Sequence, residues 1–301
     1  RFYYILKMRL WAQGPPIFVA DLSADLCGGL KTDSKCSNTN VYAPLLNQFA
    51  PCPWALPTIF ETALNLIKNI MRKNEQTSRQ LKREIKKLLL QEDFERGLAD
   101  VAAIPARKAV NPLFSFLCSL DEMLKWRSVT AMGKVVAWLA ETDTESARVI
   151  MRRLMWHLND ESGGIGWGCP EAMGEVMARS EKLAEEFWCI LISYAQPEGN
   201  FLEHQTLQRG LLWGIGRLAH ARPQLLKESL ECLHPFLRES DPYLRGLAAW
   251  AAGIYQDIRT QKLLSSLRTD TAELKIYLNQ KLVLCTVAQL AKTALQKINS
   301  T

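Results

Sequence analysis

Apolar residues recur at helical spacing from about position 77 to the end of the chain. Leu81, Ile85, Leu88 and Leu89 fall at i, i+4, i+7 and i+8, one stripe along a helix. Thr77 with Gln80 forms a capping-box pair at the start of that helix. Asn111-Pro112 and Asp241-Pro242 each set a cap residue before a proline, the arrangement favoured at a helix N-terminus. Asp143 is a further candidate cap, as is Asp270 with Glu273 three residues on. No segment after 77 reads as a convincing strand, and the linkers are short, so neighbouring helices are expected to run antiparallel.

The helices come in repeating pairs. Superposing the second helix of each pair aligns Ala131-Met132-Gly133, Ala172-Met173-Gly174, Ile215-Gly216 and Ala252-Gly253. Their spacing of about 40 residues, with two helices per unit, is that of a solenoid of helical hairpins. A glycine inside a helix costs about 1 kcal/mol relative to alanine. Four at equivalent positions imply a common cause: one helix is expected to press so closely on the next that a methyl group would clash.

The segment Asp241-Pro242-Tyr243-Leu244-Arg245-Gly246-Leu247-Ala248-Ala249-Trp250-Ala251-Ala252-Gly253 resembles the second-helix motif of HEAT repeats. In that motif the Asp caps the helix, the Arg four residues on reaches toward the neighbouring repeat, and the small residues pack. The resemblance weakens at 77–104 and 259–298, as terminal capping repeats do. It implies an all-α fold, a right-handed α-solenoid of antiparallel HEAT-like hairpins over residues 71–301. More narrowly, Asn111 to Leu117 and Asn159 to Glu175 resemble an uncharacterised bacterial HEAT-repeat family associated with sulfate-respiring anaerobes, to which no activity attaches.

Residues 1–70 read differently. They carry Pro15, Pro16, Pro44, Pro51, Pro53 and Pro57 and the polar run Lys31 to Asn40, with little periodic patterning. The expectation is a poorly structured N-terminal extension, with translation beginning at Met71, where the helical pattern sets in.

Composition narrows the function classes. With 48% apolar and 23% charged residues among 301, the chain is that of a folded globular protein. The net charge of +6 comes mainly from the 72–87 helix, with Arg72, Lys73, Arg79, Lys82, Arg83, Lys86 and Lys87. Such a helix is either a solvated face or a site for acidic partners and nucleic-acid phosphate. None of the eight cysteines is in C-x-x-C spacing, which leaves out zinc-ribbon and thioredoxin-like motifs. Five of them sit singly in helical patterns as small hydrophobes, and a reduced, cytoplasmic setting is expected. No apolar run reaches membrane-spanning length.

Two regions carry candidate chemistry. The loop 159–171 holds Gly163, Gly164, Gly166 and Gly168 around Trp167, with Asp160, Glu161, Glu171 and Glu175 making it acidic. It lacks the Gly-Lys-Ser/Thr of a P-loop, and a helix rather than a strand precedes it, so neither phosphate-loop nor dinucleotide fingerprints fit. It reads either as an inter-helix turn with Trp167 packed on Trp156, or as an acidic aromatic recess for a cation such as a partner's Lys or Arg. His157, Asp160, Glu161 and Cys169 form a mixed set without metal-site spacing, so no metal or cofactor is expected. The second region is the stripe Arg209, Trp213 and Arg217 at i, i+4 and i+8. These serve as anchors on the concave face that second helices line, or Trp213 is core and the arginines form ordinary ion pairs.

Catalytic groupings are poor. Ser162 has no base in sequence, Asp160 and Glu161 diverge, and His157, His204, His220 and His234 are scattered. The preferred reading is a non-enzymatic scaffold that recognises another protein through its concave face and the Gly-rich acidic loop. Two alternatives stay open. HEAT-like repeats also build alkylpurine DNA glycosylases, for which Trp213, Arg209, Arg217, Asp160 and the basic 72–87 helix would serve. Related short repeats also occur in phycocyanobilin lyases.

Overall fold

A computed structural model describes residues 78–300 except 160–165, 227–228 and 256. The expectations for residues 1–70, for Thr77 and for Arg72 and Lys73 lie outside the described residues. Helices dominate, in the order α1 (78–90), α2 (Phe94–Ala103), α3 (Ala106–Leu117), α4 (Glu122–Thr142), α5 (Thr144–Leu158), α6 (Cys169–Arg179), α7 (Glu181–Ser193) and α8 (Gln205–Ala221). Short helical turns at Pro223–Leu226, Leu230–Leu233 and Phe236–Arg238 lead into α9 (Pro242–Ala252) and α10 (Ile258–Ser266), and α11 (Val287–Ser300) ends the series.

The capping chemistry sets the helix starts. Asp121 accepts from the Leu124 amide at 3.1 Å, Asp143 from Ser146 at 3.0 Å and Asp241 from Tyr243 at 3.0 Å. Each satisfies an amide that the first turn leaves without a partner. Asn111 does not cap a helix. Α-helical geometry begins at Ala106, and Pro112 lies inside α3. The apolar face of Ala106, Ala109, Val110 and Leu113, all buried, outweighs the one backbone bond that Pro112 removes.

The architecture is an all-α solenoid of helical hairpins. The second helices α4, α6, α8, α9 and α11 pack side by side in that order. The repeated glycines lie at these contacts. A Cβ built on Gly133 would come within 2.4 Å of Glu175 Cγ on α6, and one on Gly174 within 2.4 Å of the Gly214 Cα on α8. On Gly216 it would meet Trp250 of α9 at 2.5 Å, and on Gly253 the Cα of Ala294 on α11 at 3.2 Å. Backbone meets backbone at Gly174, which is why even alanine is excluded there.

Ion pairs join the same helices across repeats. Lys125 Nζ of α4 lies 2.7 Å from Glu171 Oε1 of α6. Glu175 of α6 takes Arg217 of α8 at 2.6 Å and Arg179 of its own helix at 2.5 Å. Arg209 of α8 reaches Asp241, the cap of α9, at 2.7 Å. Arg245 of α9 reaches Asp270 at 2.8 Å and also donates to the Glu239 and Ser240 carbonyls, each at 2.7 Å.

One element departs from the all-helical expectation. Residues Glu273–Leu278 and Lys281–Thr286 form an antiparallel hairpin of strands β1 and β2, inserted between α10 and α11. Asp270 therefore does not cap a helix; its Oδ1 accepts from the Ala272 amide at 3.0 Å. The turn places Asn279 and Gln280 at φ 48° and 64°. Left-handed residues at both central positions match the twist of a two-residue hairpin, a role usually signalled by Asn-Gly. Leu274 and Ile276 point inward, at 1% exposure each, and fix the register.

The cysteines are also less uniform than expected. Among the five described, only Cys169 is buried, while Cys118 and Cys189 are exposed.

His220 gives the fold a measurable acid dependence. Its ring lies 5.0 Å from Trp250, and Nε2–H donates to the Trp250 carbonyl at 2.9 Å. Burial first, then the positive charge of Lys297, hold its pKa down at about 4 against an ordinary 6.5. Between these values the unfolded chain takes up a proton that the folded one refuses, so this group costs stability as pH falls through that window. The urea midpoint is expected to drop from pH 7 to pH 5, and His220→Phe to flatten part of that slope.

Candidate functional site

The hairpin turns the second-helix face into a site. Tyr277 stacks flat on Trp126 of α4, with ring centroids 5.0 Å apart and planes 9° apart. Its hydroxyl lies 3.2 Å from Thr130 Oγ1, and its carbonyl accepts from the Trp213 indole N–H at 2.9 Å. Trp213 sits 4.7 Å from Trp126 and 6.3 Å from Trp250. Lys275 of β1 pairs with Glu122 at the start of α4, 3.5 Å away. Gln280 at the turn bonds Glu95 of α2. The chain's own hairpin thus lies along the second helices and reaches as far as Glu95 of α2.

Beside β1 a recess of about 230 Å³ remains. Its apolar surface comes from Trp126, Trp213, Leu247, Ile276 and Leu282, and its polar surface from Glu122, Lys125, Glu171, Thr206, Arg209 and Lys275. Glu122, Glu171, Thr206 and Tyr243 belong to the first turns of α4, α6, α8 and α9. Four parallel helices therefore turn their N-terminal ends, with their partial positive charge, toward this rim.

Two charged groups are held rigidly. Glu171 is 3% exposed: Oε1 takes Lys125, whereas Oε2 has no hydrogen-bond partner and faces Gly210. A Cβ on Gly210 would come within 2.4 Å of that oxygen, so glycine there makes room for the carboxylate. Arg209 binds Asp241 through Nε, and its guanidinium carbon lies 4.6 Å from the Tyr243 ring centre. That clamp leaves the two terminal nitrogens of Arg209 without a protein partner among the described residues.

Of the expected site residues, Glu171, Arg209 and Trp213 meet at this recess, and the other described ones lie elsewhere. Asp160 and Glu161 lie outside the described residues. Trp156 is 63% exposed on α5, with its ring edge-on to His157. Trp167 is half-buried, and its carbonyl lies 3.7 Å from Cys118 Sγ. Gly168, at φ 79°, starts α6, and a Cβ there would strike the Leu117 carbonyl at 2.7 Å. Trp213 is buried and Arg217 is spent on Glu175, while Arg209 is both paired and a recess wall. On α1, Lys82, Arg83, Lys86 and Lys87 are exposed, with Lys82 over the Phe116 ring.

Sequence reasoning missed Glu122, Lys125, Trp126, Tyr243 and Lys275. A signal existed for Lys125: it stands four residues after the cap Asp121, the offset that separates Arg245 from Asp241.

No family profile matches the chain. An uncharacterized protein of Archaeoglobus fulgidus is 29% identical over 107 residues, which is 36% of this chain. The match spans about half, 52%, of that relative's length. Among solved structures, an engineered protein aligns with 73% of this chain and 97% of its own at 17% identity and a TM-score of 0.43. A designed armadillo repeat protein in complex with the peptide (KR)4 aligns with 73% and 99% at 15% identity and 0.42. An archaeal HEAT-like repeats protein from Thermococcus onnurineus covers 73% and 97% at 12% identity and 0.28. The helix order and the glycine contacts between successive second helices define the solenoid. Among the described residues no helix is long and apolar enough to cross a membrane.

Proposed function

We propose that the protein is a non-enzymatic scaffold that recognises another protein on its second-helix face, at the recess between α4, α6, α8, α9 and the hairpin. The observation that carries this reading is the recess itself. Aromatic side chains, a clamped arginine and two lysines converge there from four separate elements, the combination that anchors partners at interface centres. The Gly-rich 159–171 segment leads into α6, and its last residue, Glu171, lines the recess, which supports a part for that segment in the contact.

The test compares the full chain with the double variant Glu122→Ala/Lys275→Ala. Both side chains are more than half exposed and their contact is 3.5 Å, so their loss costs the fold little. Affinity capture from native lysate, read by mass spectrometry, is expected to show a protein held by the parent chain and depleted about tenfold or more with the variant. Identical retained proteins from both would refute this surface.

A further inference from the structure

The recess is rich in donors and poor in reachable acceptors. Arg209 keeps both terminal nitrogens unpaired among the described residues, because only Nε is used on Asp241. Lys125 spends one of its three protons on Glu171. Lys275 has a single long contact, and the Thr206 hydroxyl makes no side-chain bond among the described residues. On the other side, Glu171 Oε1 is taken by Lys125 and Oε2 is closed off against Gly210. Glu122, at 58% side-chain exposure, stands at the mouth. The four helix N-termini add positive potential to the same rim. The recess beside β1 is therefore better matched to an anionic group than to a partner's Lys or Arg.

Size sets the second condition. A closed apolar cavity of about 150 Å³ admits benzene, so about 230 Å³ admits one ring with a short polar arm. The apolar surface for such a ring comes from Trp126, Trp213, Leu247, Ile276 and Leu282.

We infer that the recess binds a carboxylate carried on a flat apolar body of about one ring. The carboxylate meets Arg209 and Lys275, with Thr206 in reach, and the ring lies against the tryptophans. A small aryl-alkyl acid and the free C-terminal aromatic residue of a partner chain present the same chemistry. This inference rests on the scaffold reading only in taking the recess as the binding site.

Titration calorimetry on the full chain tests it with three isosteres, phenylacetate, phenylacetamide and phenethylamine. Phenylacetate is expected to bind with Kd about 1 mM, the range for a fragment of its size. It should bind about tenfold or more tightly than the amide or the amine, and Lys275→Gln should weaken it about tenfold. Arg209→Gln should do the same, with circular dichroism confirming that each variant is folded. A short peptide ending in free Phe, set against its C-terminal amide, separates the two sources. Binding of the peptide acid but not its amide assigns a chain terminus, and binding of phenylacetate alone assigns a small acid. Equal affinity for acid and amide, preference for the amine, or no heat from any probe would overturn the inference. If the probes fail while Glu122→Ala/Lys275→Ala still loses its captured protein, the scaffold reading stands and only the ligand chemistry falls.

Discussion

Gly174→Ala is expected to lower the unfolding free energy by about 3 kcal/mol, at the upper end of overpacking effects. The new methyl group would sit 2.4 Å from both the Cα and the carbonyl oxygen of Gly214. Both obstacles are backbone on a neighbouring helix, so no side chain can rotate away, and α6 and α8 must separate along their shared length. Alanine's better helix propensity returns only about 1 kcal/mol. Gly253→Ala is the internal control. Its methyl meets Ala294 and the Trp250 carbonyl at 3.2–3.3 Å, contacts that a shift of a few tenths of an ångström relieves. That variant should stay within about 1 kcal/mol of the parent in urea unfolding followed by circular dichroism.

Trp213→Ala should cost about 4 kcal/mol, in the range for emptying a buried aromatic site. The side chain is 3% exposed and touches Trp126, Trp250 and Tyr277, so its removal opens a void shared by two helices and the hairpin. It also strips the Tyr277 carbonyl of its indole donor at 2.9 Å. Trp213→Phe keeps most of the packing and loses that bond, for about half the effect. Hydrogen exchange distinguishes a general loss from a local one. In Trp213→Ala the amides of 273–286 should exchange faster by a larger factor than those of α4 or α8. A uniform increase across all three would mean that the hairpin is not held by the aromatic cluster.

What could be read from the chain followed from periodicity. The second helices and their glycines recur, and one packing requirement is met at Gly133, Gly174 and Gly216, whereas Gly253, at 3.2 Å from Ala294, leaves nearly enough room for a methyl group. In the HEAT motif that 241–253 resembles, the Arg reaches toward the neighbouring repeat, and Arg245 does reach Asp270 at 2.8 Å. The hairpin was hidden for two reasons. Its turn is Asn279-Gln280, without the glycine that usually marks left-handed turn residues, and its apolar run merges with that of α11. The recess was harder still, because its walls come from five elements between Ser119 and Leu282. Trp213 shows the limit of a helical stripe. The i, i+4, i+8 spacing with Arg209 and Arg217 is the same whether the tryptophan faces solvent or, as here, a strand that the sequence did not reveal. Glu171 follows an acidic stretch in sequence, yet in space it pairs with Lys125, forty-six positions away.

A double-mutant cycle on Gly174→Ala and Gly214→Ala tests most directly whether successive second helices are pressed backbone to backbone. Once one methyl group has forced α6 and α8 apart, the second enters a gap already opened. The double variant should therefore lose less than the two single losses combined, with a coupling of about 0.5 kcal/mol or more. Gly174→Ala with Gly253→Ala, on helices that do not share that seam, should be additive. Additivity in both cycles would mean that residues 174 and 214 do not meet, and the solenoid as described would be wrong.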